Sequence, residues 1–369
     1  MLTETLQEAR RQVEICNACR YCEGFCSVFP AITRNRTFSN GDLTQLANLC
    51  HNCRGCYYAC QYTPPHEFAL NLPKTLAELR QESWQDHAYP AWFASLFHRS
   101  GTAIALAAVL GLAAIFWAIK WLGANAGGEG FYAVLSHSAM VAIFTPAFLL
   151  PLTSLAVSLR RYWRSVGGGR VGLGDLVEAF RSAARMENLA GGHGEGCNFE
   201  DEDRFSNARR GLHHMVLYGF LLCFAATSAG TVMHYALAME APYGLWSLPK
   251  LLGLPGGILL SLGTLGMILL KLRADRALSD ARVWGGEMGF VVLLFIVSTS
   301  GLALYALGGT PLLTAMLALH LGAVLAFFLL TPFSKMAHGF YRLAALVKDA
   351  QAQRPAAAPA SPSQPELRT

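Results

Sequence analysis

Eight of the ten cysteines fall between Cys16 and Cys60, and they repeat one spacing twice. The runs are Cys16, Cys19, Cys22, Cys26 and then Cys50, Cys53, Cys56, Cys60, each reading C-x2-C-x2-C-x3-C. This spacing suits an iron-sulfur cubane, because three thiolates two residues apart wrap one face of the cube while the fourth, one residue further on, points toward a neighbouring cube. Each run therefore lends a ligand to its partner. Cys16, Cys19, Cys22 and Cys60 are expected to hold one [4Fe-4S] cluster, and Cys50, Cys53, Cys56 and Cys26 the other. Structural zinc is the competing use of Cys-x2-Cys pairs, but zinc sites take two pairs rather than runs of four. No Cys-x2-Cys-His occurs, which excludes a c-type haem. A disulfide framework needs an oxidising compartment, and Met1 to Ile15 is charged and amphipathic without the apolar core of a secretory signal. This end is expected in the cytoplasm.

The elements that carry the thiols read as helices. Glu4 to Ile15 and Asn40 to Asn48 have helical periodicity and little alternating pattern, so residues 1–90 are expected to form a helical ferredoxin-like domain with two 4Fe-4S clusters. Ser27 and Gln61 follow the fourth cysteines where bacterial ferredoxins place proline, so the turns differ while the ligation need not. Beyond this segment the composition changes: 53% of the chain is hydrophobic and only 14% charged, too apolar for a typical soluble protein. Six stretches, approximately 101–122, 132–158, 212–238, 251–271, 286–308 and 312–334, are long enough to cross a bilayer. They imply a six-helix transmembrane bundle over 91–348, followed by a disordered tail, 349–369, of Ala, Pro, Ser and Gln. Nine Lys or Arg lie between Arg160 and Arg210 and four between Lys271 and Arg282, while the opposite loops hold almost none. By the positive-inside rule both termini face the cytoplasm. The net charge of +5 sits beside apolar segments rather than along one aromatic-studded stripe, so no nucleic acid is expected.

Histidines in or near membrane helices are costly to bury and become haem candidates: His213, His214, His234, His320 and His338. Antiparallel pairing of the third and sixth spans would bring His213 or His214 near His338, and His234 near His320, enough for one or two b-type haems. At about 100° per residue His320 and His338 share a face of one straight helix, and His213 lies closer to the direction of His234 than His214 does. His137 and His98 are expected at the interface, and His66 and His87 have no pattern supporting ligation. Glu287 reads as a solvated helix start in preference to a proton relay toward quinone. The stretch Gly191-Gly192-His193-Gly194-Glu195-Gly196-Cys197 fits no nucleotide motif and is expected to support the cytoplasmic head or a partner. Cys197 and Cys223 stand isolated in sequence and are not expected to bind iron.

Cys16-Asn-Ala-Cys-Arg-Tyr-Cys-Glu-Gly-Phe-Cys26, Cys50-His-Asn-Cys-Arg-Gly-Cys-Tyr-Tyr-Ala-Cys60 and His213-His214, ahead of and within six spans, resemble the tricarballylate utilization protein TcuB (citrate utilization protein B) family over nearly the whole chain to about residue 348. The membrane half is more distantly similar to the haem-bearing gamma subunit of respiratory nitrate reductase. The resemblance implies a route in the bacterial inner membrane: a separate FAD-dependent dehydrogenase, which in that family oxidises tricarballylate to cis-aconitate, reduces the clusters, and haem b passes electrons to quinone. No motif here binds FAD, so oxidation of the organic acid is expected of the partner, with no catalytic residue in this chain. Two alternatives are a CobZ-like iron-sulfur and haem component serving corrin oxidation in cobalamin synthesis, and a membrane redox sensor.

Overall fold

The computed structural model describes residues 3–123, 130–192, 194–200 and 203–354. Five helices precede the membrane segments: α1 (Glu4–Cys19), α2 (Val28–Thr33), α3 (Asn40–Leu49), α4 (Gly55–Tyr58) and α5 (Leu72–His87). Local chemistry starts the two that lead into the cysteine runs. Thr3 accepts from the Leu6 N–H ahead of α1, and Ser39 accepts from the Asp42 N–H ahead of α3. Asp42 in turn accepts from the Ser39 N–H at 2.8 Å, a reciprocal cap that stabilises the helix by about 1 kcal/mol. Leu43, Leu46, Leu49, Leu72, Leu76 and Leu79 then bury one stripe each of α3 and α5 against Ala9 and Val13 of α1.

Six helices are long and apolar enough to cross a membrane. They are α6 (Ala91–Trp121), α7 (His137–Ser165), then, after the short α8 (Leu173–Arg185), α9 (Ala208–Leu237), α10 (Leu248–Arg273), α11 (Trp284–Ala306) and α12 (Leu313–Leu330). A final helix, α13 (Ala337–Gln353), follows. Tyr218, Leu221, Phe224 and Val232 of α9 are 43–57% exposed, a surface that lipid covers and water does not favour. Small residues set the closest helix approaches: a Cβ on Gly219 of α9 would lie 2.6 Å from the Leu260 nitrogen of α10, and one on Gly101 of α6 would lie 2.5 Å from the Gly286 Cα of α11. Among the described residues there is no sheet, only an isolated bridge between Cys197 and Ser206.

The boundaries depart from the expected spans at three places. α6 begins ten residues earlier than expected and passes a non-helical Ser100 (φ −131°, ψ 27°) where the span was expected to open. α7 begins at His137, where Ser136 accepts from the Ala139 N–H. The sixth stretch is not one helix: α12 ends at Leu330, turns carry the chain through Pro332, and α13 starts afresh at Ala337. Proline has no N–H to continue the ladder and its ring crowds the preceding turn, so the helix stops. His320 and His338 therefore sit on different helices, and the shared-face estimate for one straight helix does not apply. At the other end α13 runs on to Gln353, past the expected start of the tail, and residues 355–369 lie outside the described residues.

The N-terminal helices do not keep a core to themselves. Ala345, Leu346 and Val347 of α13 and Ala179 of α8 pack into the same buried cluster as Leu43 and Leu46. Arg34 pairs with Asp349, and Gln45 donates to the Ala345 carbonyl at 2.7 Å. The last helix thus ties the cysteine-bearing segment to the membrane bundle.

Candidate redox site

Both cysteine runs leave a helix end through left-handed backbone. Arg20, at φ 56°, caps α1 after Cys16 and Cys19, and its N–H donates to the Cys16 carbonyl at 2.9 Å. Cys50 closes α3, Asn52 and Arg54 take positive φ, and Cys56 rides on the single turn of α4. The result is two thiol-lined cavities. One, of about 830 Å³ including its open mouth, is lined by Cys16, Cys19, Cys22 and Cys60. The other, of about 390 Å³ including its opening, is lined by Cys26, Cys50 and Cys53, and Cys56 borders both.

With Cys56 counted at the second, each cavity offers four thiols of the two runs, the number a cubane takes. Zinc would need four ligands drawn around a single tetrahedral centre, whereas a cubane spreads its thiolates over its corners. All ten cysteines are free. Backbone N–H groups of Asn52 and Tyr62 donate to Cys50 and Cys60 Sγ, each at 3.4 Å, which suits sulfur that carries charge. Burial, and then the neighbouring cysteines, push Cys16 and Cys22 up to about 12, and burial also raises Cys26 and Cys56 well above the thiol range. Such a crowd of thiols ionises readily only with metal cations among them.

Across the second run from its cavity lies a third space, of about 1160 Å³ including its opening, between the N-terminal helices and the membrane bundle. Two histidines line it. The His213 and His338 rings stand 6.0 Å apart between centroids, at 69°. A metal–imidazole bond is about 2 Å and the ring centre lies about 1 Å behind its nitrogen, so two rings clamping one iron stand roughly 6 Å apart. His213 Nδ1 is buried without a partner, and His338 Nδ1 donates to the Lys335 carbonyl, which leaves its Nε2 free. Burial, with the Arg342 charge close by, holds His338 well below the usual imidazole range, in the neutral form that ligates.

Cations surround this space. Arg209 stands one turn before His213 and Arg342 one turn after His338, and both reach back to the second cysteine run. Arg209 donates to the Asn52 and His51 carbonyls at 2.6 and 3.0 Å, Arg342 to the Cys50 carbonyl at 3.1 Å, and Arg80 to that same carbonyl at 2.8 Å. Arg209 Nε, Arg342 Nε, Gln81 Nε2 and Trp284 Nε1 remain buried donors without partners on the wall. Donors left over in a closed space suit carboxylates such as the propionates of haem.

The remaining candidates are placed elsewhere. His214 Nε2 meets the Ala184 carbonyl at 3.2 Å and its ring stacks on Tyr218. His234 does not approach His320 as expected: its ring lies 4.4 Å from that of His137, while His320 Nδ1 takes Ser300 Oγ at 2.9 Å. The reason is that α9 packs along α10 rather than α12, through close approaches such as Gly219 against Leu260. His98 is buried rather than interfacial. Glu287 is not a solvated helix start, since Lys271 at 2.5 Å and Lys335 both pair with it on the cavity wall. Burial pushes Lys335 down to about 7, with Glu287 opposing the shift. Reading the sequence missed Arg209 and Arg342; their four-residue spacing from His213 and His338 was the available signal.

Comparison with known proteins agrees over most of the chain. Residues 9–88 match the family model described as citrate utilization protein B Fer4-like domain, and residues 94–360 match that of citrate utilization protein B. Citrate utilization protein B of Escherichia coli is 42% identical over 354 residues, covering 94% of this chain and 93% of its own length. No solved structure matches.

Proposed function

Because this chain belongs to the citrate utilization protein B family, we propose that it is a membrane electron-transfer subunit that receives electrons from an FAD-dependent dehydrogenase and delivers them to quinone. Its place is the bacterial inner membrane, with both termini cytoplasmic, on the side where the basic loops lie. Residues 1–90 form the iron-sulfur portion and residues 91–353, through the end of α13, the haem-bearing membrane portion.

The observation that carries this reading is one continuous arrangement. Two adjoining cavities ringed by thiols share Cys56, and three successive carbonyls of the second cysteine run join the second of them to a facing histidine pair. When bound, two 4Fe-4S clusters and one haem b supply one-electron steps that divide the two-electron load of a flavin. Cys16, Cys19, Cys22 and Cys60 hold the first cluster, and Cys50, Cys53, Cys56 and Cys26 the second. His213 and His338 hold the haem iron, with the Lys335 carbonyl setting the His338 tautomer. Arg209 and Arg342 offset the negative charge gathered on both sides of the second run.

The test is anaerobic purification followed by assays of iron, acid-labile sulfide and pyridine haemochrome. About eight cluster irons and about one b haem per chain are expected. Zinc in place of iron, or an absent haemochrome, would reject the corresponding part of the assignment.

A further inference from the structure

Helix α8 turns an apolar stripe outward. Leu173, Leu176, Val177 and Phe180 stand at i, i+3, i+4 and i+7, one continuous helix face, and they are 78, 36, 59 and 57% exposed. A solvated helix shows polar residues on such a face, and water disfavours an apolar one. The opposite face is already occupied. Asp175 and Ala179 are buried against α13, where Arg354 pairs with Asp175, and Ala179 shares a core with Ala345 and Leu346. Among the described residues none covers the outward stripe.

Both ends of α8 are held where membrane spans begin or end. Only residues 166–172 separate it from α7, a reach of at most about 25 Å. At its C-terminus, His214 Nε2 and the Tyr218 hydroxyl of α9 donate to the Ala184 carbonyl at 3.2 and 3.0 Å, and Arg210 donates to the Arg185 carbonyl at 2.8 Å. The last carbonyls of a helix lack partners within it, so these side chains both satisfy the end of α8 and fasten it to α9. Tyr218 heads the exposed apolar surface of α9 that continues through Leu221 and Phe224. The stripe of α8 and the lipid-covered surface of α9 therefore meet at this junction. Charge agrees with lipid as the common cover. Six arginines and two acids lie from Arg160 to Arg185, and Asp175, one of the acids, is paired within the protein. Arg170, Arg181 and Arg185 are exposed. A basic, amphipathic helix at this level suits a leaflet with anionic headgroups.

We propose that α8 is an interfacial helix lying in the headgroup layer on the side where α7 ends and α9 begins. Leu173, Leu176, Val177 and Phe180 enter the boundary of the acyl chains, and Arg170, Arg181 and Arg185 stand among the phosphates of anionic lipids. The inference needs the membrane spans and not the redox reading above. Because the buried face of α8 joins α13 in the core that holds Leu43 and Leu46, the bilayer surface braces the cysteine-bearing helices over the membrane bundle.

The experiment places a small fluorescent amino acid at Phe180 of the full-length protein by codon suppression, and in a second preparation at Glu178, on the polar side of α8. Each protein is reconstituted into vesicles of phosphatidylcholine and phosphatidylglycerol that contain a lipid with a nitroxide high on its acyl chain. The nitroxide is expected to quench the probe at Phe180 at least several-fold more strongly than the probe at Glu178, and aqueous iodide is expected to show the reverse order. Iodide quenching as strong at Phe180 as at Glu178, without quenching by the nitroxide lipid, overturns the proposal and leaves the stripe to a protein partner. Should the protein probed at Phe180 fail to fold, Val177 carries the probe with the same two outcomes. Replacing phosphatidylglycerol by phosphatidylcholine is expected to weaken the lipid quenching, and R170Q/R181Q/R185Q is expected to lose that dependence. Equal lipid quenching in the two membranes for the unsubstituted arginines overturns their assignment to anionic phosphates.

Discussion

Arg342 donates to the Cys50 carbonyl from one helical turn beyond His338, at 3.1 Å. The contact links a cysteine near the start of the chain to the last helix, and Arg209 repeats it from the turn before His213. Both guanidiniums stand between the second thiol cavity and the histidine pair. Hydrogen bonds from a charged donor are worth about 1.5–3 kcal/mol each, and buried carbonyls left without them are costly.

Arg342→Ala is therefore expected to loosen this junction while Arg80 still holds the Cys50 carbonyl. Haem reduction by dithionite-reduced clusters, followed in stopped flow, should slow at least several-fold with iron content and membrane insertion preserved. Wild-type kinetics in this variant would remove the arginine bridge from the path.

The histidines divide into two groups that substitution separates. His213→Ala and His338→Ala are each expected to abolish bound haem in the pyridine haemochrome assay. His214→Ala, His234→Ala and His320→Ala should retain it, because their rings are committed to Ala184, His137 and Ser300. Loss of haem from His234→Ala or His320→Ala with retention in His213→Ala would transfer the site to the opposite membrane face.

Cys56 borders both thiol cavities. Cys56→Ser should lose about half of the cluster iron, with the remainder destabilised, since burial leaves the neighbouring thiols reluctant to ionise without metal. Iron and sulfide analysis after gel filtration reads this directly. Full retention of eight irons would assign the fourth ligand of that cluster to another group.

Asp349 and Arg34 pair between α13 and the N-terminal helices. Burial raises Asp349 above the usual carboxylate range, and Arg34 offsets this only in part. The folded state then holds this proton more tightly than the unfolded chain does. Stability from this group falls as pH rises from the ordinary carboxylate value through the raised one, leaving a net cost at neutral pH. Asp349→Asn should raise the thermal midpoint at pH 7 by the equivalent of less than about 1 kcal/mol and change nothing below the ordinary carboxylate pKa. A variant less stable than wild type at pH 7 would mean that the attraction of Arg34 dominates.

What the amino-acid order determined by itself was short-range. The cysteine runs place their thiols through x2 and x3 steps that span a turn or two of backbone. The helices that lead into them start at Thr3 and Ser39, side chains that cap the next three residues. The number of membrane-length helices follows from the length of apolar stretches, because each span satisfies its own backbone within the bilayer. Tertiary structure alone decided which distant groups meet. The break at Pro332 separated His320 from His338, and close packing of α9 on α10 turned His234 toward His137 and left His213 facing His338. It also laid the segment after Cys197 against the Cys53 carbonyl and set Arg209 and the buried Arg342 between the two candidate centres. Periodicity records the direction a side chain leaves its own helix, but the neighbour it finds depends on how closely helices approach and where they bend, and those distances are set by contacts between residues far apart in the chain.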